Sequence, residues 1–207
     1  MAEPCTGVIL AGGESKRFGR QNKAFIRIGG QRILDRLMGV YQPLFDQVVL
    51  VTNDPVAYMD IDALIVTDHF AARSSLNGLH AGLFSAAYEY AFFAACDTPF
   101  VTKALVQAML ERIEAKTDLV IPSTTAGYEP LFAVYKKTCL PAMAELLMRN
   151  HLKIQGLFPK LRVKTVAEAD LRKVDPELAS FFNINTTADL AKAEAIAAGV
   201  DEESNSQ

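Results

Sequence analysis

Three cysteines, Cys5, Cys96 and Cys139, are all that the 207 residues provide. They are odd in number, far apart and in no Cys-x-x-Cys spacing, so neither a disulfide framework nor a zinc site is expected, and buried or idle thiols are the better reading. The three histidines, His69, His80 and His151, are isolated, with no carboxylate or cysteine at ligand spacing. Long apolar runs are missing too. None reaches the ~18 residues needed to span a bilayer, and the N-terminus has neither the charged n-region nor the long h-region of a signal peptide. No membrane partner is expected, and the cytoplasm is the expected location. A strong charge of one sign is also absent. A formal net charge of −3 and a pI near 5.7 exert no broad pull on nucleic acid or anionic lipid, so any anion binding must come from a local site.

Two familiar glycine patterns are absent as well. A P-loop needs a second glycine five residues after the first and then Lys-Ser/Thr, but positions 17 and 18 are Arg17 and Phe18. The Gly-x-Gly-x-x-Gly dinucleotide fingerprint needs glycine at 14 or 15, where Glu14 and Ser15 stand. Low-complexity segments and internal repeats are not found.

What is present is an ordinary globular composition, 50% hydrophobic and 22% charged, in a chain long enough for one sizeable core and short for two. One domain over residues 1–200 is expected, with a disordered polar tail at 201–207. The chain is organised around residues 6–24. There the apolar run Val8-Ile9-Leu10 stops at Gly12-Gly13, and a cation-rich loop with Lys16, Arg17 and Gly19 leads on to Lys23. Without Cβ atoms, Gly12 and Gly13 let the backbone approach an anion and point N–H groups at it. Such a loop is a phosphate cradle.

Beyond it, strands and helices alternate. A short strand at 24–28 precedes a helix at 31–45, where Ile33, Leu34, Leu37, Met38 and Tyr41 share one face. Strands follow at 47–52, 63–67, 91–96 and 119–122, with helices at 79–90 and 103–115 between them. Later come a strand at 128–136, a helix at 138–149, a basic run at 149–164, a strand at 181–185 and a helix at 186–198. Doubly buried strands alternating with helices predict an α/β three-layer sandwich on a mostly parallel sheet. Ligands in such sheets bind beyond the carboxyl ends of the strands. Gly12-Gly13, Asn53, Asp68 and Asp97 each follow a predicted strand and should converge if those strands are neighbours. An aspartate there suits Mg²⁺, which prefers one or two carboxylates plus phosphate oxygens. With Arg17 and Lys23 to neutralise a departing pyrophosphate, these residues support nucleotidyl transfer by positioning and electrostatics.

Leu10-Ala11-Gly12-Gly13-x-Ser15-x-Arg17-Phe18-Gly19 followed by Lys23 resembles the signature of the small nucleotidyltransferases, and most closely of the molybdenum cofactor guanylyltransferases (MobA). Ala95-Cys96-Asp97-Thr98-Pro99-Phe100, Glu129-Pro130-Leu131-Phe132-Ala133 and Phe182-Asn183-Ile184-Asn185-Thr186 match further family blocks in the same order. The resemblance implies a Rossmann-like nucleotidyltransferase fold and transfer of GMP from GTP to Mo-molybdopterin, releasing pyrophosphate. By position it implies that Leu10, Ala11, Gly12, Gly13, Lys23, Asn53, Asp68 and Asp97 bind GTP. It gives Asp97 the Mg²⁺ ion and puts Lys23 on the phosphates; with the charge-neutralising role read above for Arg17, the expected catalytic residues are Arg17, Lys23 and Asp97. Asn183 and Asn185 match the motif near the acceptor. A molybdopterin-delivering protein or a molybdoenzyme apoprotein is a further implied partner.

This chain departs from the family at Phe18, where methionine is usual, and at Gly78-Leu79-His80-Ala81-Gly82, where relatives often read Gly-Pro-Leu-Ala-Gly. Thr187 stands where proline is usual. Gly13, the second glycine, favours guanine over the cytidine used by related cytidylyltransferases. The alternatives are such a CTP-dependent enzyme, another small nucleotidyltransferase, or a nucleotide-binding protein without catalysis. The basic run reads as a solvated face, or as a receiver for the pterin phosphate or a partner.

Overall fold

The structure is a computed structural model that describes residues 3–12 and 22–204. Along the chain run β1 (Cys5–Leu10), β2 (Arg27–Ile28), β3 (Gln31–Arg32), α1 (Ile33–Tyr41), β4 (Val48–Val51), β5 (Leu64–Val66), α2 (Ser75–Ser85) and β6 (Tyr90–Ala95). Then come α3 (Lys103–Leu110), β7 (Leu119–Thr124), β8 (Gly127–Tyr128), β9 (Ala133–Lys136), α4 (Leu140–Met148), β10 (Val163–Ala167), α5 (Glu168–Leu171) and α6 (Thr187–Ser204).

Eight of these strands form one sheet in the order β10-β7-β9-β6-β1-β4-β5, with β8 pairing off β7. Along that order every pairing is parallel except those of β9, which runs against both β6 and β7. β1 is buried along its whole length. Val8 and Leu10 enter the core on one face and Cys5 and Ile9 the core on the other, which is why the run shows no apolar–polar alternation. Helices α2 and α4 cover the core that takes Val8 and Leu10, and α1, α3, α5 and α6 cover the core that takes Cys5 and Ile9. This is the expected three-layer, mostly parallel sandwich.

Several boundaries differ from the sequence reading, each for a local reason. α2 starts at Ser75 rather than 79, because the Ser74 hydroxyl caps it by accepting from Asn77 N at 3.2 Å. The strand read at 24–28 is a 3₁₀ turn, Lys23–Phe25, followed by the β2–β3 hairpin over Gly29 and Gly30, at φ 55° and 78°. The strand read at 128–136 is broken by a turn in which Phe132 N donates to Glu129 O at 3.0 Å. β10 lies inside the stretch read as basic surface, with only Val166 buried. No strand forms at 181–185. A 3₁₀ turn, Ala179–Phe181, occupies its start, and Ile184 N is bonded to Asp97 O at 2.9 Å, so the segment crosses the end of β6 instead of joining the sheet. α6 continues to Ser204, past the predicted helix end and into the stretch read as tail.

α2 lies close against the sheet at Gly82, where a Cβ would stand 2.6 Å from Val8 Cγ1 and 3.0 Å from Phe93 Cε1. No larger residue fits there without lifting the helix.

Candidate nucleotide site

β5, β4, β1 and β6 are consecutive in the sheet, and their ladders end in step. Past the strand ends, Thr52 N still donates to Val66 O, Ala11 N to Val51 O and Cys96 N to Leu10 O, at 2.9, 2.8 and 3.0 Å. Asp68, Asn53, Gly12 and Asp97 therefore follow one another along a single carboxyl edge, as the sequence requires for a shared site. Leu10 and Ala11 are buried, and Leu10 O and Ala11 N are taken by these bonds. Gly12 is the first exposed residue, with no backbone partner among the described residues. Among the described residues a Cβ on it would meet only Val51 O, at 3.9 Å. Neither packing against the described residues nor a positive φ demands glycine at 12, and the open space above it suits close approach of a ligand. Gly13 and Arg17 lie outside the described residues.

Two bonded clusters stand on this edge. In the first, Lys23 Nζ lies 3.0 Å from Asp97 Oδ2 and 2.8 Å from Asn185 Oδ1, joining three segments far apart in sequence. Both charged side chains are about one-fifth exposed, open enough for a ligand and dry enough to strengthen the pair. Their supports are specific. Asn22 Oδ1 caps the turn that carries Lys23 by accepting from Ala24 N at 3.1 Å, and Asn22 Nδ2 donates to Tyr58 Oη at 2.8 Å. The Tyr58 hydroxyl in turn donates to Ala11 O at 3.3 Å, so the lysine turn is tied to the end of β1. On the far side, Asp189 Oδ2 accepts from Asn185 N and Thr186 N at 3.0 and 2.8 Å, and Thr186 Oγ1 accepts from Asp189 N at 3.1 Å. This reciprocal cap fixes the start of α6 and sets Asn185 beside Lys23. Asn183 is not in the cluster; it is exposed and donates to Phe181 O at 2.9 Å.

In the second cluster Asn53 and Asp68 face each other. Asn53 Nδ2 donates to Asp68 Oδ2 at 2.9 Å and Asn53 Oδ1 accepts from Asp68 N at 3.3 Å. The loop after Asp68 is held by the buried Asn77, which donates to Phe70 O and Ala72 O at 2.6 and 2.9 Å and accepts from Phe70 N at 3.2 Å. His80 packs on Phe70 and Phe84, with ring centroids 5.0 and 6.1 Å away. Burial and the neighbouring His69 lower its pKa, and its Nδ1 has no partner among the described residues. Burial pushes the thiol of Cys96, next to Asp97, up to about 12, so it stays a protonated wall and not a nucleophile.

A family model described as the MobA-like NTP transferase domain matches residues 7–163. The chain belongs to that family. It is 47% identical to the molybdenum cofactor guanylyltransferase of Desulfosudis oleivorans over 92% of this chain and 94% of that one. A probable molybdenum cofactor guanylyltransferase of Pelotomaculum thermopropionicum is 36% identical, covering 93% of each chain. Among solved structures, the molybdopterin-guanine dinucleotide biosynthesis protein A of Archaeoglobus fulgidus superposes with a TM-score of 0.83 at 29% identity, covering 94% of this chain and 99% of that one. The MobA-like NTP transferase family accounts for the glycine strand and for the blocks that carry Asp97 and Glu129. The residues that hold Lys23 in place, Asn22, Tyr58 and Asp189, were not singled out from sequence. Only Asp189 left a signal, since Thr186 with an acid three residues on is a helix-start pattern.

The basic run is mostly spent on ion pairs. Arg149 and Lys160 pair with Glu145, Arg162 with Asp118 and Lys164 with Glu114. What remains borders an open cleft of about 710 Å³, lined by Leu146, Asn150, His151, Lys153 and Gly156 among others. None of its lining residues belongs to either bonded cluster. No described helix is long and apolar enough to cross a membrane.

Proposed function

We propose that this protein is an enzyme that transfers GMP from GTP to the terminal phosphate of Mo-molybdopterin, forming the guanine dinucleotide cofactor and pyrophosphate. The observation that carries the reading is the Lys23–Asp97–Asn185 cluster. A cation, a metal-grade carboxylate and an amide from three remote segments meet at the head of the glycine strand, in a chain 47% identical to a molybdenum cofactor guanylyltransferase.

The nucleoside lies toward Asn53 and Asp68, and its phosphates lie over Gly12 within reach of Lys23. Lys23 balances the charge that develops as pyrophosphate leaves, and Asn185 holds the ammonium in position while Asp97 orients it from the other side. The terminal phosphate of the acceptor attacks the α-phosphorus directly, so no covalent enzyme intermediate is needed. Asn183 is exposed and would turn toward the acceptor by giving up its bond to Phe181 O. Among the described residues Asp97 has one oxygen engaged, by Lys23, and it is the residue that would hold Mg²⁺. A single carboxylate fits that ion, whose other ligands are phosphate oxygens and water. Bound there, Mg²⁺ supplies charge neutralisation on the phosphates.

Pyrophosphate assays with GTP, Mg²⁺ and molybdopterin test the reading. The wild-type protein should release pyrophosphate, and Asp97→Asn should lose at least about a hundredfold in turnover while keeping its fold. GTP binding without pyrophosphate release above the Asp97→Asn level would leave a binding protein only. Release with CTP in place of GTP would move the assignment to cytidylyl transfer.

A further inference from the structure

Glu129 opens the one family block to which no role has been given. Its backbone is firmly set. Glu129 N donates to Pro122 O of β7 at 3.1 Å, Glu129 O accepts from Phe132 N at 3.0 Å, and the Tyr135 hydroxyl donates to Pro130 O at 2.9 Å. β9 begins at Ala133 opposite Phe93, so the turn lies past the paired part of β6, on the side of β6 away from β1. The carboxyl group is half-buried and has neither an ion pair nor a hydrogen bond among the described residues. Burial alone raises its pKa, since no neighbouring charge contributes.

A carboxylate is acceptor-only, and one held half-buried in a rigid turn with no partner among the described residues is open to donors from a ligand. Phosphate cannot provide them, because its charge has the same sign. A flat heterocycle with a ring N–H beside an exocyclic amino group can, through two parallel bonds of the kind a carboxylate makes best. The nucleoside belongs on the other side of the edge, beyond β4 and β5, where Asn53 and Asp68 stand. In-line displacement at the α-phosphorus puts the acceptor opposite the departing pyrophosphate, which leaves the β9–β7 side for its body.

We infer that Glu129 determines acceptor specificity by accepting hydrogen bonds from the ring N–H and the exocyclic amino group of the pterin. The inference rests on the guanylyltransferase reading, and the two fail differently. In the full-length protein at saturating GTP and Mg²⁺, Glu129→Gln should raise the KM for molybdopterin about 10- to 100-fold, leave kcat within a few-fold, and preserve the thermal shift produced by GTP. A second measurement does not depend on that variant folding. A pterin with a phosphomethyl arm should inhibit the wild-type enzyme at least about tenfold better than its lumazine counterpart, in which oxygen replaces the amino group. Glu129→Gln should inhibit alike with both. An unchanged KM in the variant, or a wild-type enzyme that does not tell the two inhibitors apart, overturns the inference alone. A wild-type protein that releases no pyrophosphate with molybdopterin overturns the guanylyltransferase reading and this one with it.

Discussion

Lys23 is held by three neighbours, and each does a separable job. Asn22 fixes the turn beneath it, Asp97 supplies the opposing charge and Asn185 takes one more ammonium proton. All three contacts exist without any ligand, so the cluster is preorganised, and on the proposed guanylyltransferase reading a phosphate arriving there would meet a charge already oriented. Removing the side chain has two costs of different size. Lys23→Ala loses one charge-assisted pair that water still reaches, which lowers stability by about 1–2 kcal/mol. The same change removes the ammonium from the leaving pyrophosphate and should cut kcat/KM by about a hundredfold or more, and it should also shrink the thermal shift given by GTP. Melting curves and steady-state pyrophosphate assays on one preparation check both halves. A loss of turnover below about tenfold would remove Lys23 from the machinery.

Among the elements, α2 does most to shape the Asn53–Asp68 side of the edge. Its amino end follows the Asp68 loop, Asn77 ties that loop down by three hydrogen bonds, and Gly82 lets the helix lie directly on β1, β4 and β6. Gly82→Val should therefore overpack this contact, costing about 1–3 kcal/mol, and should weaken GTP binding as Asp68 is displaced from Asn53. Chemical denaturation and GTP titration read the two effects, and a fully stable variant with normal affinity would contradict the packing argument. The glycine pair at 78 and 82 was visible in the sequence, and so were β1, β4 and β6, whose double burial leaves an unbroken apolar run. What escaped was set by bonds across long separations. Ser74 reads as loop until its hydroxyl is seen to cap Asn77, and 181–185 reads as a strand until Ile184 is found bonded to Asp97. β10 hid because its side chains are mostly outside the core, so its pattern resembles solvated surface. The convergence of Gly12, Asn53, Asp68 and Asp97 followed from chain order and the rule for parallel sheets. The partners of Lys23 did not, since nothing in a linear spacing ties position 23 to position 185.

Across the molecule, the sheet is completed by β10, a strand joined late in the chain, and charge closes that seam. Asp118 is buried at the start of β7, and its carboxylate accepts from Arg162 N, Nε and Nη2 at 3.0, 2.8 and 2.7 Å and from Thr138 Oγ1 at 2.7 Å. One group thus joins β7, the start of α4 and the entry to β10. The Arg162 guanidinium, followed by the hydrogen bonds from Arg162 N and Thr138, holds the Asp118 carboxyl well below its ordinary value of 3.8. Because the folded form binds this proton less readily than the unfolded chain, the stabilisation is fully present above pH 3.8 and is lost as pH falls from there toward the depressed folded value. Asp189 at the cap of α6 is shifted in the same direction by the Asn185 and Thr186 contacts, so the seam and the Lys23 cluster should weaken together in acid. Glu129 has the opposite sign. Its raised pKa favours the protonated folded form at low pH, a gain that disappears as pH rises through the folded value, so it partly offsets the acid loss. Asp118→Asn should cost about 2 kcal/mol at neutral pH and flatten the acid limb of the stability profile. Urea melts taken from about pH 6 down to about pH 3 would measure this, and a variant that loses stability in acid as steeply as the wild-type protein would show that the β10 seam is held by packing instead.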